Sequence, residues 1–118
     1  MKNIIKISVF CLLSFFFLDA RAQSKKTVSE EVAVTGVCKM CKERIETAVL
    51  GVKGVKMATW NAQAQKLKVY YKTKHTSLEQ IQQTVAAAGH DTRDVKAKDE
   101  AYKKLPDCCL YRDGVKVH

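Results

Sequence analysis

The sequence predicts an α+β domain in the order βαββαβ, and three stretches carry that prediction. Val28, Val32 and Val34 keep a period of two and give way to Cys41, Ile45, Ala48 and Val49 at helical spacings. Leu67, Val69 and Tyr71 alternate with Lys66, Lys68, Tyr70 and Lys72, the cleanest period of two in the chain. Ser77, three residues ahead of Gln80, opens a second helix with a capping-box pattern. Two crossover units then share one sheet, with both helices on the same face.

Taken in order, Val28 to Thr35 reads as the first strand, with Glu30 interrupting its apolar face. Lys39 to Leu50 follows as a helix stopped by Gly51. Gly54 to Asn61 is the second strand, with Val55, Met57 and Thr59 on one face and Trp60 on the other, so that Met57 is expected in the core. Asn61 to Gln65 is a hairpin loop in which Asn61 is the turn former. The Lys66 to Lys72 strand should have one dry face and one wet, basic face. Leu78, Ile81, Val85 and Ala88 mark the second helix, Gly89 stops it, and His90 to Val95 is a short final strand. Beyond Val95 the chain is charged, with a weak helical stripe of Ala101, Tyr102 and Leu105 ended by Pro106 and a turn at Asp113-Gly114.

At 118 residues the chain holds one small domain. Its start is a targeting segment in pattern. Lys2 and Lys6 precede an apolar run of twelve residues, Ile7 to Leu18, and Ala20-Arg21-Ala22 is a small-x-small cleavage signal. A run of twelve falls short of the roughly 20 residues that a membrane span needs. The expected division is a signal peptide over 1–22, a domain over 27–95 and an extension over 96–118, with the mature protein periplasmic or secreted. Cleavage near Ala22 removes all 4 phenylalanines, so the core must use aliphatic residues, Met57, Trp60 and tyrosines. The full chain has 21 bases against 12 acids; losing Lys2, Lys6, Arg21 and Asp19 leaves the remainder strongly basic. Outside the cytoplasm such a charge meets anionic lipid or acidic partners, and nucleic acid is not an expected partner.

Cys38-Lys39-Met40-Cys41 lies where the first strand pattern yields to the first helix pattern. One thiol in the loop and one on the first helical turn can point into one small volume. The helix N-terminus, with Lys39 and Lys42 beside it, favours their ionisation. Paired thiolates suit Cu(I), Zn(II) or other thiophilic ions rather than Mg or Ca. Cys108 and Cys109 form a second, adjacent pair, with Cα atoms about 3.8 Å apart, so a bond between them closes only a strained ring. The tail that carries them is expected to pack against the domain.

From Thr27 to Val95 the chain resembles the heavy-metal-associated domain family of copper chaperones, ATPase metal-binding modules and periplasmic mercury-binding proteins. The likeness rests on the Cys38-x-x-Cys41 pair after the first strand, Gly54-Val55 leading into the second, and Ala88-Gly89-His90 before the last. It implies a ferredoxin-like βαββαβ open-faced sandwich with the metal in the loop before the first helix, held by Cys38 and Cys41. Cu(I) is the ion it favours, with Hg(II) as in the mercury-binding relatives. A metal-exporting membrane protein is the implied partner. The pattern departs from the family at two points. The family's methionine two residues before the first cysteine is Gly36 here, and Met40 is expected to take over its packing; otherwise its thioether turns to the metal. The family's Tyr or His beside the site is His90, a further candidate ligand.

Should Cys108 and Cys109 fold back onto the loop, four thiolates make a tetrahedral Zn(II) or Cd(II) site available. The competing chemistry is thiol–disulfide exchange at Cys38 and Cys41, with the tail cysteines as resolving thiols. A third possibility is a domain stapled by two disulfides. No Ser-His-Asp order or carboxylate pair supports hydrolysis, and no enzymatic activity is expected.

Overall fold

The computed structural model of the protein describes residues 26–118; the targeting segment read over 1–22 lies outside them. Strands β1 (Thr27–Ala33), β2 (Val55–Asn61) and β3 (Lys66–Lys72) form an antiparallel sheet in the order β1-β3-β2. Helices α1 (Lys39–Leu50) and α2 (Leu78–Ala87) follow β1 and β3, and a short α3 (Asp99–Tyr102) and two 3-10 turns, Asp107–Cys109 and Tyr111–Asp113, build the extension. This is the ferredoxin-like α+β fold read from the sequence, with one face of the sheet covered and the other open.

The dry face of β3 is Leu67, Val69 and Tyr71, all buried, while Lys66 and Lys68 stay exposed. Opposite them on β1, Val32 packs against Leu67, and Glu30 faces Val69. The carboxylate that interrupted the apolar pattern has a partner there: Tyr71 donates its hydroxyl to Glu30 at 2.5 Å. On α1 the buried residues are Cys41, Ile45 and Val49, and on α2 Ile81, Gln82, Val85 and Ala86. Ser77 caps α2 by accepting the Gln80 N–H at 3.2 Å.

Two expectations are corrected. Met57 is not a core residue; it is 56% exposed. A bulge at Lys56 places two steps of β2 opposite one of β3, so Val55 pairs with Tyr71 and Met57 with Tyr70. The alternation therefore shifts within the strand, and Val55, Ala58 and Trp60, not Met57, face the core.

The fourth strand is reduced to a single antiparallel bridge, Val34 to Thr92. Backbone bonds from Thr35 N–H to the Asp91 carbonyl (2.9 Å) and from Arg93 N–H to the Ala33 carbonyl (3.0 Å) flank it. Local side-chain bonding then ends the ladder. The Thr92 hydroxyl donates to the Val95 carbonyl and accepts the Val95 N–H, closing a turn. Asp94 is held to buried Gln82, whose amide bonds both its N–H and its carboxylate. Gln82, unremarked in the sequence, is what pins the segment after α2.

Candidate metal centre

The loop from Val34 to Cys38 is held by two residues, Gln65 and Trp60. Its Val34 N–H donates to the Gln65 carbonyl, and its Gly36 N–H to the Gln65 side chain, both at 3.0 Å. Gln65, at the end of the hairpin with φ 54°, is thus a support of the loop that periodicity could not reveal. Trp60 completes the frame: its indole N–H donates to the Val34 carbonyl at 2.9 Å, and its ring lies against Gly36. A Cβ built on Gly36 would stand 2.9 Å from the Trp60 ring and 3.2 Å from Cys41 Cβ.

That geometry answers the family departure at Gly36. The space below the loop is filled by Trp60, which is 1% exposed, and not by Met40, which is 53% exposed. The expectation that Met40 packs into the core is therefore wrong. Its thioether instead lies 3.4 Å from the Cys108 sulfur.

Cys38 is the N-cap of α1, and Cys41 sits one turn in. Their sulfurs are 3.4 Å apart. The extension brings the second pair to the same place: Cys38 Sγ is 3.5 Å from Cys108 Sγ and 3.4 Å from Cys109 Sγ, and the tail sulfurs are 4.0 Å from each other. All four are free thiols, separated well beyond the roughly 2.05 Å of a disulfide. Cys41 and Cys109 are fully buried, Cys38 nearly so, and Cys108 is half-buried.

Burial pushes the Cys38 thiol up. The Cys41 backbone N–H and the neighbouring thiols of Cys109, Cys41 and Cys108 outweigh it and bring it down to about 7. The helix N-terminus thus acts as the sequence suggested. Lys42 does not contribute in the same way: it is turned away, bonded to Glu46 at 2.7 Å and to the Trp60 carbonyl at 2.9 Å. Burial, followed by the thiols of Cys41 and Cys38, pushes Cys109 far upward. A bond to Cys38, then burial, raises Cys108. Of these three thiols, Cys38 is therefore the one that ionises most readily.

His90 is buried but does not join the sulfurs. Its Nδ1–H donates to the Thr35 carbonyl at 2.9 Å, and its ring stacks on Tyr111 at 5.6 Å between centroids. Nε2 has no hydrogen-bond partner among the described residues. Burial lowers its basicity, outweighing the opposing bond to the Thr35 backbone. Its role in the geometry is to tie the loop to the extension.

The extension is anchored beside it. Tyr111 donates its hydroxyl to the Gly89 carbonyl at 2.8 Å and accepts the Asp91 N–H at 2.9 Å. Arg112 bonds both Asp91 oxygens, at 2.6 and 3.2 Å, and the Ala97 carbonyl at 2.7 Å. Its guanidinium also covers the Tyr102 ring.

Burial raises the Asp91 carboxyl, but the bonds from Arg112 and the Ala97 N–H prevail and hold it below its ordinary value. A depressed folded pKa gives stability that is complete above the unfolded value near 3.8 and is lost as pH falls through the folded one. Acidification below about pH 4 should therefore loosen the extension. Proteolysis of the tail followed against pH should show that step in the wild type and not in Arg112→Ala.

The family model for the heavy-metal-associated domain matches residues 31–91. Among solved structures, a CopZ metallochaperone is 26% identical with a TM-score of 0.54, over 55% of this chain and 98% of its own. The Cu(I)-loaded N-terminal domain of a potential copper-translocating P-type ATPase from Bacillus subtilis is also 26% identical, at 0.54, over 57% and 85%. Oxidized MerP from Ralstonia metallidurans, 22% identical at 0.54 over 57% and 94%, shares the fold. No curated protein matches the chain significantly. Cys38 and Cys41 fall inside the matched segment, whereas Cys108 and Cys109 fall outside it. The chain, matched over residues 31–91 with its paired thiols at the head of α1, belongs to the heavy-metal-associated domain family.

Proposed function

We propose that this is an exported soft-metal-binding protein that takes Cu(I) on Cys38 and Cys41, for sequestration or for transfer in metal homeostasis. The observation that carries the reading is the pair of reduced sulfurs 3.4 Å apart at a helix N-terminus, in a loop fixed by Gln65 and Trp60. Thiolates are soft donors, and a monovalent soft ion needs few of them. The Cu(I)-loaded relative from Bacillus subtilis and the CopZ metallochaperone support copper as the ion. The relative drawn from a potential copper-translocating P-type ATPase supports a metal-exporting membrane protein as the partner. Export rests on the Lys2 to Ala22 pattern alone.

The test is retention. After anaerobic loading of the reduced protein and gel filtration, one equivalent of copper is expected to remain with the wild type and none with Cys38→Ser/Cys41→Ser. Equal retention by both proteins contradicts the assignment.

A further inference from the structure

Neither the family match nor the Cys38–Cys41 loop accounts for the two thiols that the extension delivers. They arrive on a built support. The 3-10 turn Asp107–Cys109, closed by Cys109 N–H to the Pro106 carbonyl at 2.8 Å, turns two adjacent side chains toward the same point. Tyr111 and Arg112, just beyond, lock that turn to the segment after α2. Cys109 ends fully buried and in the same core cluster as Cys38 and Cys41.

The sulfurs of Cys38, Cys108 and Cys109 form a triangle with sides of 3.5, 3.4 and 4.0 Å. A point equidistant from the three lies about 2.1 Å from each, close to the metal–sulfur bond of about 2.3 Å found for thiolate sites. Cys41, 3.4 Å from Cys38, lies outside the set of Cys38, Cys108 and Cys109, whose sulfurs are all within 4.8 Å of one another, and would have to shift to join as a fourth. A linear two-coordinate ion held only by Cys38 and Cys41 would require their sulfurs to move apart, to about twice one bond length.

From this we infer that the extension closes the loop into one centre of three or four sulfurs, which retains its ion instead of presenting it for exchange. The inference rests on the reading of the loop as a soft-metal site and assigns Cys108 and Cys109 to the same ion. The chemical consequence is direct. Transfer between thiolate sites requires an incoming sulfur to enter an open coordination position, and here the chain's own tail fills it. Each ligating thiol gives its proton to solvent on loading, and the ion's oxidation state does not change. Release then requires the extension to lift, so the Tyr111 and Arg112 contacts become the latch.

X-ray absorption at the copper edge, on the reduced protein with one equivalent of Cu(I), tests this. The wild type is expected to show three or more sulfur neighbours, and Cys108→Ser/Cys109→Ser two, with one equivalent bound in both. Because Cys109 is buried, Cys108→Ser serves as a second variant at a half-exposed position. It should release Cu(I) to a chelating indicator at least about tenfold faster than the wild type. Two sulfurs in the wild type, or unchanged release from Cys108→Ser, overturns the closed centre and leaves the loop site standing. A second equivalent bound by the wild type and lost in the double variant overturns it equally, since the tail would then hold its own ion. Failure of the wild type to take up Cu(I) overturns the loop reading and this inference together.

Discussion

Trp60→Ala is expected to destabilise the domain by about 3–5 kcal/mol, the usual cost of truncating a large buried aromatic. The side chain is 1% exposed and lies among the core residues. Its loss also strands the Val34 carbonyl, which accepts the indole N–H at 2.9 Å. A stability loss alone would be an ordinary core effect. The distinguishing expectation is a second one: the Trp60 ring is what Gly36 rests on, so the loop carrying Cys38 should loosen and metal affinity should fall in variants that still fold. Trp60→Phe restores much of the packing without the hydrogen bond and should lie between the two. Urea denaturation followed by circular dichroism measures the first effect, and Cu(I) competition in the folded baseline the second. Gly36→Met alone should be destabilising, because the space that a side chain needs is already taken by Trp60.

Gly89→Ala is the second large effect. Gly89 has φ +107°, a conformation that L side chains rarely adopt, so a substitution is strained by about 1–3 kcal/mol before any contact is counted. An added Cβ would also stand 2.9 Å from Leu105 Cδ2 and 3.0 Å from the Ala101 carbonyl. Those atoms belong to the extension, and the Gly89 carbonyl is the acceptor for Tyr111. The expected result is therefore a two-part loss: a lower urea midpoint, and a protease-sensitive tail under native conditions. A lower midpoint with an unchanged tail would mean that Gly89 serves only α2.

These effects show how far the sequence could be read. Strand β3 and helix α2 were legible because each has a single uninterrupted period and, for α2, a cap at Ser77 that the structure bears out. The site loop was legible because the cysteine spacing coincides with the change from one period to the other. Met57 was misplaced because a bulge moves the period by one residue, and nothing in a run of Lys56-Met57-Ala58 announces the shift. The last strand was overread because Thr92 and Asp94 spend their hydrogen bonds locally and on Gln82. Met40 was misread because the filler of the loop is Trp60, 24 residues away in sequence from Gly36. Long-range partners such as Gln65 with Gly36, or Tyr111 with Gly89, leave no local trace.

The thiols themselves illustrate the same limit. Spacing alone could join Cys38 to Cys41; only the fold places Cys109 3.4 Å from Cys38 across 71 positions of the chain.

The most direct test of the metal-site assignment is the Cu(I) affinity of the reduced protein, measured anaerobically against a competing chelator in the wild type and in Cys38→Ser. Cys38 touches all three other sulfurs and is the thiol whose pKa is brought down to about 7. Its removal should weaken binding by more than the roughly 10–100-fold typical of losing a supporting residue. An affinity in Cys38→Ser within that range, or equal to wild type, would mean that the head of α1 is not where this protein holds its metal.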